Sequence, residues 1–146
     1  MMDFQDISPE TQEAFLQLLD NHLTISVMNL EKDKCVLPML MSIGSEPDAN
    51  LVVSLQPKSG NTDVEAALAA ALQRLKKSDF DYALFSYSTK IGLSDDKLVD
   101  ALKTYIFEKS GLSVVFFTPY KFSGLFKKKA DYEKTIIGEI VENIFN

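Results

Sequence analysis

The stretch Ser94-Asp95-Asp96-Lys97-Leu98-Val99-Asp100-Ala101-Leu102-Lys103-Thr104-Tyr105-Ile106-Phe107-Glu108-Lys109 decides the fold of this chain, because it satisfies two incompatible patterns. As a helix, Ser94 is the N-cap, Asp95 and Asp96 occupy the first turn, Leu98, Leu102 and Ile106 form a stripe, and Gly111 stops it. As a strand, Thr104–Phe107 supplies β-branched and aromatic residues, and Glu108-Lys109-Ser110-Gly111 makes a hairpin loop. The first reading gives a crossover helix between parallel strands, the second an antiparallel meander. Local propensity mildly favours the helix.

On either side the signals are plainer. Tyr82–Ile91 reads as a strand carrying Leu84, Phe85 and Tyr87. Ser113–Tyr120 is apolar on both faces at Val114, Val115, Phe116 and Phe117, the pattern of a central strand. Further upstream, Thr62-Asp63-Val64-Glu65 is a capping box that opens a helix over Thr62–Lys77, with Val64, Ala67, Leu68, Ala71, Leu72 and Leu75 as its stripe. Val36–Ile43 and Leu51–Gln56 read as an antiparallel pair, and Pro38, which removes a ladder donor, puts the first at a sheet edge. Ser8-Pro9-Glu10 starts a helix that runs to about Leu30. At the other end, Ala130–Phe145 is expected to be an amphipathic helix with Ile136, Ile137, Ile140, Val141 and Ile144 on one side.

The residues Val99-Asp100-Ala101-Leu102, Glu108, Gly111, Phe116-Phe117 and Pro119-Tyr120 form a pattern that resembles small bacterial domains of uncharacterised function. That resemblance implies a helix, two strands, a helix and a three-strand meander, and it implies no activity. It favours the strand reading of residues 94–109. The expected fold is therefore α+β, a five-stranded, mostly antiparallel sheet with helices covering one face, in a single domain over residues 1–146.

Composition agrees with a globular domain: 146 residues, 46% hydrophobic and 25% charged, with ten phenylalanines and no tryptophan. No apolar run is long enough for a membrane span, and Met1–Ile7 lacks the character of a signal peptide. With one cysteine no internal disulfide can form, and a cytoplasmic setting is expected. Net charge is −6, concentrated in residues 1–60, where nine acids face three bases. An acidic chain of this kind repels phosphate backbones, which argues against nucleic acid as a partner.

Residues able to do chemistry are few. His22 is the sole histidine and lies on a helix face beside Leu19 and Leu23, so it reads as a packed helix residue. Cys35 reads as a small apolar group, although Lys32 and Lys34 could favour a thiolate. Asp95, Asp96 and Asp100 lack the spacing of a calcium loop, and Asp79 and Asp81 mark a helix-to-strand turn. Lys58-Ser59-Gly60-Asn61 before Thr62 could hold an anion, but it has neither a Walker loop's nor a dinucleotide fingerprint's glycines. These readings assign no catalytic, cofactor or metal residues.

One segment stands apart. Lys121, Phe122, Phe126, Lys127, Lys128 and Lys129, with Leu125 between them, place four bases around apolar side chains in an otherwise acidic chain. Either this is a docking loop for an acidic partner or an anionic lipid surface, or the two rings tuck under the last helix while the lysines stay wet. The expected function is non-catalytic protein–protein interaction, with another protein or as a homodimer. The alternative is a small ligand-binding domain or enzyme with a pocket between sheet and helices.

Overall fold

In the computed structural model residues 2–45, 50–54, 64–94 and 97–145 are described. Among these residues the chain is a mixed α+β structure of two α-helices and a curled, antiparallel seven-stranded sheet. A 3₁₀ turn at Phe4–Asp6 leads into α1 (Pro9–Asp33), then β1 (Met39–Ile43), β2 (Leu51–Ser54), α2 (Val64–Lys76), β3 (Tyr82–Ser94), β4 (Lys97–Glu108), β5 (Ser113–Ser123), β6 (Lys129–Tyr132) and β7 (Ile136–Val141). The strand order is β2-β1-β3-β4-β5-β6, and β7 also pairs with β5.

Residues 97–108 are strand. Leu84 opposes Ile106 and Phe85 opposes Tyr105, while Ile106 opposes Val114 on the other side. Every side chain of this stretch from Ala101 to Phe107 thus meets a neighbour on one of two covered faces. That burial outweighs the weak helical preference of the segment. The order helix, two strands, helix, meander is present, and two further strands extend it.

Several expectations are corrected. The sheet has seven strands rather than five, because the Ile-rich end of the chain is β6 and β7 instead of a helix. Gly138 shows why: a Cβ there would come within 2.8 Å of Phe117 Cε2, so this position lets β7 lie close against β5. The helices do not cover one face; they lie on opposite faces. Phe15, Leu18 and Leu19 of α1 pack with Leu84, Ile106, Val114 and Phe116. Ala71 and Leu75 of α2 pack with Ala83, Phe85, Tyr87 and Phe107. Leu84 and Phe85 are sequence neighbours on a strand and so point to opposite sides. β1 is not at the edge either. Its ladder begins after Pro38, so the missing amide costs no pairing, and β2 forms the edge. The capping box at Thr62 and Asp63 lies outside the described residues, as does the loop Lys58–Asn61.

Ser8 caps α1 as expected, accepting from the Thr11 amide at 3.3 Å, and Lys34 closes it in the left-handed conformation. Along the α1 face the core is split. Phe15, Leu18 and Leu19 belong to one apolar cluster; Leu30 joins Val36, Leu102, Tyr120 and Ala130 in a second. Between them α1 carries His22 and Ser26, and the strands carry Ser86, Thr104 and Thr118, all buried. Ser26 Oγ lies 3.2 Å from His22 Nε2, Ser86 Oγ lies 3.2 Å from Thr104 Oγ1, and Thr118 Oγ1 lies 2.8 Å from Thr135 Oγ1. A polar seam whose members bond one another can be buried without a large desolvation penalty.

Candidate functional site

The β5–β6 hairpin gathers the lysine-rich segment. Tyr120 opposes Tyr132, Lys121 opposes Asp131, Phe122 opposes Ala130 and Ser123 opposes Lys129. The intervening turn starts at Gly124, whose φ of 105° is open to glycine and costly for other residues. A Cβ at Gly124 would also run into the Lys127 carbonyl oxygen. The backbone therefore commits this turn to one tight path.

The root of the hairpin is fixed to α1. Ala130 donates its amide to Glu31 Oε2 at 3.0 Å, and Tyr132 donates its hydroxyl to the Leu23 carbonyl at 2.7 Å. Burial, with Tyr120 nearby, pushes the Tyr132 hydroxyl well above the usual phenol range, so it stays a donor. Phe122 is half-buried: it packs with the Leu30–Tyr120 cluster, meets the Tyr120 ring edge-on at 5.7 Å, and lies under Lys34 Nζ at 5.3 Å. Of the two rings, Phe122 is an anchor and belongs to the fold.

The tip is the reverse. Leu125 and Phe126 expose 94% and 101% of their reference areas. Among the described residues there is no C-terminal helix for Phe126 to tuck beneath, because β6 and β7 take its place. Lys127, Lys128 and Lys129 follow, all exposed, and none of them forms an ion pair among the described residues. Lys121 faces Glu133 at 3.7 Å. Two bare apolar side chains are thus followed directly by three exposed lysines, while Lys34 and Lys121 lie nearer the root, over Phe122 and beside Glu133. Leu125, which composition alone did not rank with the phenylalanines, is as much part of the tip as Phe126.

The other candidates are not brought together. His22 is buried, and desolvation lowers its pKa to about 4, so it is neutral, and it hydrogen-bonds Ser26. Cys35 lines a shallow groove of about 260 Å³ with Asn29, Asp33, Met39 and Val52, away from His22's position in the seam. Asp100 sits on β4, while Asp95 and Asp96 lie outside the described residues. Asp79, in the turn between α2 and β3, pairs with Lys109 in the turn between β4 and β5. Among the described residues no group of three His, Cys, Asp or Glu side chains is placed to hold a metal ion. No helix among them is long and apolar enough to cross a membrane. Between sheet and helices lie the three apolar clusters and the polar seam.

Comparison of the chain with protein-family models, with curated proteins and with solved structures finds no match.

Proposed function

We propose that this protein is a non-catalytic interaction module that grips an acidic protein surface with the tip of its β5–β6 hairpin. The observation that carries this reading is the contrast within one hairpin: Phe122 and Tyr132 are held against the body, while Leu125 and Phe126 are left in water among lysines. Exposing both costs solubility, and covering them on a partner would contribute on the order of 3–6 kcal/mol before the cost of association. The lysines add steering toward negative charge and are screened by salt over about 8 Å at physiological ionic strength. A fixed root lowers the ordering cost when the tip docks.

The test is a photo-crosslinking amino acid placed at Leu125, with Leu93, an exposed residue of β3, as the control position. Discrete protein adducts are expected from Leu125 alone, fading as salt is raised and when Lys127, Lys128 and Lys129 are replaced by serine. Identical adducts from both positions, or no protein adduct from Leu125, would contradict the proposal.

A further inference from the structure

The chain itself carries a surface that complements the tip, at the far end of β5. This inference rests on the hairpin reading above. Around the β4–β5 turn lies an open groove of about 470 Å³, with Met2, Ile7 and Leu112 supplying apolar lining and Asp6, Glu108 and Glu142 supplying negative charge. No lysine or arginine lines it, and neighbouring Lys109 is already paired with Asp79. The tip has the opposite composition: two apolar side chains and a run of unpaired lysines. β5 has 11 residues, so tip and groove are separated by about 35 Å of strand and cannot meet within one molecule.

We infer that the hairpin tip of one copy seats in this groove of a second copy. Leu125 and Phe126 cover Met2 and Leu112 above the buried Ile7, and Lys127–Lys129 face Asp6, Glu142 and Glu108, whose carboxylate also accepts from Thr11 and Ser110. Because the two surfaces are different, the contact is head-to-tail: each added copy still offers a free tip and a free groove, so association grows in series or closes into a ring. Charge complementarity chooses a second copy as occupant, since the rest of the chain is acidic and this groove joins that charge to apolar lining.

Sedimentation velocity of the full chain at low and high salt tests this. The wild type should form a concentration-dependent series that shrinks as salt rises. A tip variant, Leu125→Ser with Phe126→Ser, and either of two groove variants, Glu142→Lys or Asp6→Lys, should each weaken self-association roughly tenfold or more while keeping the native circular dichroism. Mixing the tip variant with a groove variant should yield a 1:1 pair and nothing larger, because each brings one intact surface. A wild type that stays monomeric at low salt, or groove variants that associate as well as the wild type, would overturn the inference. In that event adducts from Leu125 to a different protein leave the hairpin reading standing, whereas Leu125- and Phe126-dependent binding to phosphatidylserine vesicles with no protein adducts removes both.

Discussion

Tyr132 donates its hydroxyl to the Leu23 carbonyl at 2.7 Å, tying β6 to the middle of α1 across 109 positions of sequence. With the Ala130–Glu31 bond it makes the hairpin root part of the body. Tyr132→Phe removes the donor and leaves the ring, so it should cost about 1 kcal/mol in urea denaturation. Hydrogen exchange should quicken in residues 129–132 and remain unchanged in α2. An unaltered exchange pattern would mean that the root is held by packing alone.

The seam predicts a pH dependence. His22 has a folded pKa near 4 against an ordinary value of 6.5, caused by desolvation. Between those values the unfolded chain binds a proton that the folded chain does not. Stability is therefore full above about pH 6.5 and declines as pH falls toward 4, by up to about 3 kcal/mol at 1.36 kcal/mol per pKa unit. His22→Gln should abolish that part of the slope in denaturation measured from pH 7 to 4. A variant with the wild-type slope would assign the loss to the carboxylates.

Gly124 should tolerate no side chain. Alanine there would adopt a φ near 105° and meet the Lys127 carbonyl, for a cost of about 1–3 kcal/mol. The loss should be confined to the hairpin, with crosslinking from Leu125 reduced. An alanine variant of wild-type stability and crosslinking would show that the turn has another accessible path.

Much of this fold is legible in the sequence where two signals agree. Ser8-Pro9 marks the start of α1 by both capping and φ restriction, and the two-sided apolar run at Val114–Phe117 places β5 inside the sheet, between β4 and the β6 and β7 strands. The stripe of α2 needs nothing beyond its spacing. Misreading occurs where periodicity is satisfied by accident. Ile136, Ile137, Ile140, Val141 and Ile144 fit a helical face, yet they are β-branched and interrupted by Gly138, whose reason is the Phe117 ring on another strand. Pro38 falls inside the expected strand Val36–Ile43, whereas β1 begins one residue after it. Which face each helix covers depends on the register of β3 against β1 and β4, which no local pattern encodes. The lysine cluster was visible as composition, but the division of labour between Phe122 and Phe126 depends on the missing terminal helix.

That division is the central claim, and paired denaturation and crosslinking of Phe122→Ala and Phe126→Ala test it most directly. Phe122, half-buried against Tyr120 and the α1 cluster, should lose about 2–3 kcal/mol of stability when truncated. Phe126, wholly exposed, should change stability by less than about 0.5 kcal/mol while the protein adducts formed from Leu125 disappear. Adducts that persist in a stable Phe126→Ala protein, or a Phe126→Ala protein as destabilised as Phe122→Ala, would contradict the account of the tip as a docking surface.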